Sequence, residues 1–212
     1  MMRSTLRSGV LVAALAVASP RAARAAEGEA TPPPSAAPAP PAPAPASLFL
    51  ETDPAMFALG GFAGHVRVRA PAAPHWSFGA GAYALTLPGF MVDLDPANRG
   101  AGFTSRMTFA AGAFVDRYFR EDGEGAFVGV QLGGQAFRVT RADAPGEASF
   151  TNLLVMPRVG YTWRPFRAGF YVMPWLGVGG TARVAGDPVV GGRAYDVYPV
   201  VAFGTVHVGW GF

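Results

Sequence analysis

The chain has 212 residues, half of them hydrophobic, with 28 glycines, 20 prolines and no cysteine, so disulfides and thiolate metal sites are excluded. All 17 basic residues are arginines and stand against 14 acidic residues, which gives a formal net charge of +3. Four of these arginines lie within the first 24 residues, so the rest of the chain is close to −1. It carries no basic stripe of the kind that binds nucleic acid, and we expect no such partner.

The first 25 residues have the pattern of a secretory signal peptide. A basic segment with Arg3 and Arg7 precedes the apolar run Gly9–Ala18, and Ala23-Arg24-Ala25 fits the small-x-small cleavage pattern. Ten apolar residues are too few to span a bilayer as a helix, which takes about 20. We therefore expect residues 1–25 to be removed, the alternative being a buried N-terminal helix.

Residues 26–46 are rich in proline and alanine and end in TPPPSAAPAPPAPAPA. Such a segment has little to bury and favours an extended polyproline conformation. We expect a disordered linker that acts as a passive spacer, with binding of a partner as the alternative.

From residue 47 the chain alternates between apolar and polar or small residues with a period of two, which predicts β-strands. In one segment Val128, Val130 and Leu132 alternate with Gln131 and glycines. Turn-forming residues separate the segments. The six clear segments are 76–87, 103–119, 126–139, 150–164, 169–184 and 195–212.

Three features favour a closed transmembrane barrel over a soluble sandwich. The polar face is rich in glycine and alanine, which suits the lumen of a narrow barrel. The segments are longer than the 5–6 residues usual for soluble strands. Short connections such as 71–75 and 165–167 alternate with longer ones such as 88–102, 142–149 and 185–193, as in outer-membrane barrels.

Residues 47–70 are expected to supply two more strands, because barrels of this class usually have an even number. Gly60-Gly61 would form the turn between them. The outward side chains would be Leu48, Leu50 and Met56, and the inward ones Phe49, Glu51 and Asp53. The rival is one long strand, 56–70, preceded by a segment inside the lumen. The predicted fold is all-β: a closed antiparallel up-and-down transmembrane barrel over 47–212, with eight strands.

Aromatic residues flank the short connections, where an interfacial girdle would place them. Trp76 follows the first, Phe119 and Phe127 flank the second, and Trp163 and Phe170 flank the third.

The end of the chain resembles bacterial outer-membrane β-barrel proteins, in which the last strand alternates apolar residues and ends in an aromatic one. The matching residues are Val206, Val208, Trp210 and Phe212. By size the chain resembles the small eight-stranded types, outer-membrane proteins A and X. The resemblance implies that these four residues are an assembly signal for the barrel-assembly machinery. It also implies location in the outer membrane among its lipids, with the linker in the periplasm.

A polar cluster is predicted in the lumen, since charged residues of several strands fall on the inward face. It fits a plug of ion pairs or, alternatively, a narrow anion channel. Glu51 and Asp53 are the expected counter-charges. The predicted cluster consists of Glu51, Asp53, His65, Arg67, Arg69, Arg106, Asp116, Arg158, Arg183 and His207.

We expect a monomer with a structural or surface-interaction role and without a cofactor or enzyme activity. A lipid-modifying enzyme, the remaining alternative, would need a serine paired with a histidine. Ser77 and His75 lie at a turn without evident oxyanion donors, and no serine lies beside His207. Asp93 and Asp95 could bind calcium, although a solvated loop explains them as well.

Overall fold

The structure is a computed structural model that describes residues 47–166 and 169–212. The predicted signal peptide (1–25) and linker (26–46) lie outside the described residues.

Ten strands and two short helices follow one another in the part of the chain that the structure describes. Their bounds are β1 Ser47–Thr52, α1 Pro54–Ala58, β2 Phe62–Arg69, β3 Trp76–Thr86, α2 Gly89–Val92, β4 Phe103–Tyr118, β5 Gly125–Arg141, β6 Ala144–Thr162, β7 Phe170–Gly186, β8 Val189–Val190, β9 Arg193–Ala194 and β10 Val200–Gly211. None of the helices in these residues is long and apolar enough to cross a membrane.

Eight of the strands form a closed antiparallel ring in the order β1-β10-β7-β6-β5-β4-β3-β2. Each strand pairs with its neighbour in sequence, and β1 closes the ring against β10. The predicted all-β, up-and-down arrangement of eight strands is confirmed. The remaining pair, β8 and β9, forms a small hairpin outside the ring.

The two ends of the ring differ. At one, which we call the short-turn end, lie the connections β2–β3, β4–β5 and β6–β7 together with Phe212. At the other, the long-loop end, lie α1, α2 and the β8–β9 hairpin. Gly102 helps to shape the long-loop end, because its φ of 70° is in the left-handed region that favours glycine.

The connection from β1 to β2 differs from the predicted glycine turn. The two strands exist, so the rival single strand over 56–70 is wrong, but helix α1 lies between them. Asp53 caps the helix by accepting a hydrogen bond from the Ala55 N–H at 2.9 Å, and Pro54 opens it, as proline favours the first helical turn. Met56, predicted to face outward, is buried.

The predicted long loop at 142–149 is also absent from the described structure. β5 and β6 continue to Arg141 and from Ala144, so only a tight turn joins them. Both strands extend as far as this turn because they remain hydrogen-bonded to each other along their whole length.

A bulge in β4 reverses the alternation that the sequence predicted for its first half. The pairing of β4 with β5 shifts between Met107 and Phe109. A bulge inserts one extra residue, so the side chains beyond it change face. Met107 is consequently buried, and Arg106, predicted to lie in the lumen, is exposed.

Candidate functional site

The ion pairs of the lumen centre on Asp116 of β4, whose side chain is completely buried. Arg158 donates to both carboxylate oxygens, from Nε to Oδ1 at 2.9 Å and from Nη2 to Oδ2 at 2.6 Å. Arg67 donates from Nη1 to Oδ2 at 2.5 Å. One carboxylate thus joins two arginines, and the paired contact from Arg158 is the strongest geometry for arginine and carboxylate.

Glu51 of β1 supplies the second carboxylate. Its Oε1 accepts from Arg67 Nε at 2.5 Å and from the Tyr171 hydroxyl at 2.7 Å, and its Oε2 lies 3.0 Å from His207 Nδ1. The four charged residues form one chain of contacts, Glu51–Arg67–Asp116–Arg158, which we call the ion-pair layer. Its two positive charges balance its two negative ones, as burial of ions in a narrow lumen requires.

Aromatic rings support the two guanidinium groups. The centroid of the Phe114 ring lies 4.7 Å from Arg67 Cζ and 4.2 Å from Arg158 Cζ. Trp175 lies 5.3 Å from Arg158 Cζ. Cation–π attraction is larger where the cation is desolvated, as both arginines are.

The other predicted cluster residues lie in different places. His65 stacks on His207, with 4.6 Å between ring centroids. Asp53 caps α1 and accepts from the Thr205 hydroxyl at 2.8 Å, so it pairs with no arginine of the layer. Arg69 lies nearer the short-turn end, with its Cζ 5.8 Å from the Phe49 ring centroid.

Arg183, predicted to be luminal, lies at the rim of the ring. Its Nη1 is 3.8 Å from Asp187 Oδ1, and the side chains of Arg183 and Asp187 are 45% and 80% exposed. β10 pairs with β7 only up to Gly180, so β7 continues beyond its neighbour and Arg183 is outside the enclosed lumen. Arg106 is also outside the lumen, because the bulge in β4 turns its side chain to the exposed face of the ring.

Glu51, His65 and His207 could in principle hold a metal ion, because a ligand atom from each lies within 4.8 Å of the other two. Glu51, however, already accepts hydrogen bonds from Arg67 and Tyr171, and the nearby guanidinium groups repel a cation. Glu51 is therefore better suited to be the counter-ion of Arg67 than a ligand of a metal ion.

An elongated cavity, which we call the chamber, occupies the long-loop half of the lumen and has a volume of about 110 Å³. A second cavity of about 10 Å³ lies toward the short-turn end, beside Arg69 and Tyr118. Along β2, His65 lines the chamber, Arg67 belongs to the ion-pair layer and Arg69 lines the small cavity. The ion-pair layer therefore separates the two cavities.

Sequence reasoning missed the chamber, although its signal was present. On β6 the inward face carries Leu154 and Met156 between Asn152 and Arg158, and both apolar residues are buried in the lumen. Apolar residues on the face assigned to the lumen indicate an interior that is partly non-polar.

The long loops are tied to each other. Asn98 Nδ2 donates to the carbonyls of Val92 and Asp196 at 3.1 and 2.7 Å, and its Oδ1 accepts from the Asp196 N–H at 3.0 Å. In the same loop, Asp95 accepts from the Ala97 N–H at 2.9 Å, as an ordinary turn does.

Ser77 and His75, the residues considered for nucleophilic catalysis, contact other groups and not each other. Ser77 Oγ accepts from Arg67 Nη1 at 3.2 Å, and His75 Nδ1 lies 3.1 Å from the Tyr118 carbonyl. Neither contact joins a nucleophile to its base.

The predicted assembly residues belong to β10 and the chain end. Val206 and Trp210 are exposed on the outside of the ring, Val208 is half-buried, and the Phe212 N–H donates to the Leu48 carbonyl at 2.8 Å. Phe212 thus lies beside the seam where β1 closes the ring.

Comparison of the chain with protein-family models, with curated proteins and with solved structures gives no match in any of the three.

Proposed function

We propose that the chain is an outer-membrane β-barrel protein with a closed lumen and a structural or surface-interaction role at its long-loop end. The observation that carries this proposal is the distribution of polarity: charges are buried inside the ring, and large apolar side chains cover its outside. A water-soluble barrel would have the opposite arrangement, whereas an outer-membrane barrel needs an apolar outer band.

The outer band runs around the ring. Its members are more than one-third exposed although they are large and apolar, and they come from many strands: Val66, Phe78, Leu132, Leu153, Val155, Leu176, Val178 and Val206. Exposed apolar side chains that adjoin one another on neighbouring strands, as the paired Leu132 and Val155 do, mark contact with a membrane or a partner.

Exposed aromatic residues line the short-turn end, as an interfacial girdle would. They are Trp76, Phe119, Tyr161, Trp163, Phe166, Trp210 and Phe212. Their rings suit the boundary between hydrocarbon and water. In outer-membrane barrels short turns face the periplasm, which would put the long-loop end at the cell surface.

The long-loop end carries features suited to a surface contact. Asn98 ties its loops together, while Phe90, Leu94, Val189 and Tyr198 leave apolar area exposed. An ordered surface with exposed apolar side chains loses less entropy on binding than a flexible one.

The ion-pair layer favours a closed lumen over the anion channel. Its arginines are buried and fully engaged with carboxylates, so they offer no free charge to a passing anion. A channel would also need the two cavities to join through this layer.

Surface labelling tests the proposed location and orientation. Because the chain has no cysteine, single thiols are clean reporters. A membrane-impermeant maleimide is expected to label Ala97→Cys, at the long-loop end, in intact Gram-negative cells. Ala72→Cys, exposed at the short-turn end, should be labelled only after the outer membrane is opened. Labelling of Ala72→Cys alone would reverse the orientation, and recovery of both variants in the soluble fraction would refute the membrane location.

A second prediction concerns assembly. Deletion of Phe212 is expected to prevent most of the chain from reaching its folded, heat-modifiable form and to leave it open to proteolysis. It removes both the terminal aromatic residue and the contact with Leu48 at the seam. Phe166→Ala, which removes a similarly exposed aromatic residue at the same end, should assemble normally. Gel mobility with and without heating reports the result, and normal assembly of the deletion variant would argue against an assembly signal.

A further inference from the structure

We propose that the chamber binds a neutral, elongated amphipathic molecule: an alkyl chain ending in a hydroxyl or carbonyl group, with that polar end at the chamber floor beside His65 and Trp175. This inference goes beyond the proposed surface role, and it depends on the membrane location only for the route by which the ligand enters.

The walls of the chamber are apolar and adaptable. Four of the seven methionines of the chain lie in them: Met56, Met91, Met107 and Met156. Methionine side chains adjust to irregular apolar ligands. The volume of about 110 Å³ is several times the 10–15 Å³ that one water needs, yet walls of this kind offer water few polar partners.

The chamber is long as well as apolar. Phe150 and Met156 both line it and lie six residues apart on β6, a distance of about 20 Å along the strand. An alkyl chain fits such a shape better than a compact molecule does.

The floor of the chamber holds polar atoms that lack a partner. Among the described residues, five buried side-chain polar atoms make no hydrogen bond, and two of them, His65 Nδ1 and Trp175 Nε1, belong to residues that line the floor. Both lie close to His207, whose ring centroid is 4.6 Å from that of His65 and 5.7 Å from that of Trp175. Buried polar groups without partners are rare in folded proteins, so a ligand group that pairs with them is favoured.

The charges around the floor select a neutral ligand. The ion-pair layer below is balanced, and Asp53 adds a negative charge to the chamber wall. A carboxylate would therefore meet a like charge. An ammonium group is unsuitable for a different reason: the indole N–H of Trp175 is a donor and needs an acceptor, which an ammonium group lacks. A hydroxyl or carbonyl oxygen meets both conditions.

An entry route lies in the wall between α1 and β10. β1 pairs with β10 only from Val208 to Gly211, whereas β7 pairs with it from Val200 to Trp210. The upper half of β10 therefore has no strand on one side in the described structure, and α1 lies against it. Met56 of α1 and Phe203 of β10 both line the chamber, so this break in the sheet adjoins it. In the proposed location, an amphipathic molecule would enter from the membrane.

The test uses the full chain folded in an amphipathic polymer, so it does not depend on the membrane location. The probes are 1-octanol, octane and octanoate, and the readout is the indole N–H resonance of Trp175, identified by its loss in Trp175→Phe. Octanol is expected to shift this resonance saturably and to bind at least about ten-fold more tightly than octane or octanoate. Trp76, Trp163 and Trp210, all exposed on the outside, should show no matching saturable shift.

A variant pair tests the role of the floor. His65→Phe keeps an aromatic ring but removes the nitrogen, and it should abolish most of the preference for octanol over octane. Val66→Ala, its outward neighbour on β2, should leave that preference unchanged. Tightest binding of octanoate, or a Trp175 resonance that no probe shifts, would overturn the proposal, the latter meaning that the chamber holds water only. Either outcome leaves the surface-labelling result unaffected.

Discussion

Asp116→Asn is expected to lower the free energy of unfolding by about 3–5 kcal/mol, the typical loss when one partner of a buried ion pair is removed. The substitution changes little volume, but it leaves Arg67 with Glu51 alone and Arg158 with no carboxylate partner among the described residues. Denaturant unfolding of the refolded protein, followed by tryptophan fluorescence, measures the loss.

Two further variants test whether the unmatched buried charge causes this loss of stability. Glu147→Gln breaks an ion pair of 3.3 Å with Arg138 in which both side chains are about half exposed, and it should cost between about 0 and 1 kcal/mol. Adding Arg158→Gln to Asp116→Asn removes the unmatched positive charge and should restore part of the stability. Equal losses for Asp116→Asn and Glu147→Gln would show that the ion-pair layer contributes no more than a surface pair.

Leu132→Arg should cost about 2–4 kcal/mol in lipid vesicles, because it places a charge near the middle of the proposed outer band. Leu132 is 53% exposed and lies midway along β5. In a water-soluble protein the same substitution at an exposed leucine would be nearly neutral. The cost of Leu132→Arg therefore shows whether lipid or water surrounds the ring, and it does not depend on what the lumen contains.

Thr140→Arg is the control for the depth of the substituted residue in the proposed membrane-spanning band. Thr140 is also exposed on β5 but lies near the long-loop end, where an arginine should cost only about 0–1 kcal/mol. Reversible unfolding from vesicles gives both values. Similar, small costs at the two positions would contradict a membrane-spanning outer band.

The alternation of residues predicted the strands well because the side-chain period of a strand is fixed at two. It correctly assigned Asp116 and Arg158 to the inside, as both lie in stretches of strand without an intervening bulge. It failed for Arg106 because one inserted residue near Met107 reverses every face beyond it. Nothing in local propensity marks that insertion.

Helix α1 could have been recognised. Asp53 followed by Pro54 is a helix-start signal, since aspartate caps and proline suits the first turn. The contact between Asn98 and Asp196, by contrast, joins residues 98 positions apart and depends on the closed ring. The break in the sheet beside β10 likewise follows from the register of three strands, which no single segment encodes.

The ion-pair layer also has a consequence for register. A strand that slips by two residues keeps every apolar side chain outside, so the outer surface alone does not distinguish the correct alignment from the slipped one. The same slip would carry Asp116 about 7 Å away from Arg158, beyond hydrogen-bonding reach. Glu51 imposes the same demand at the seam, where it meets His207 across 156 residues of sequence. The buried ion pairs therefore select one register, because they form only when all the strands that carry them are correctly aligned.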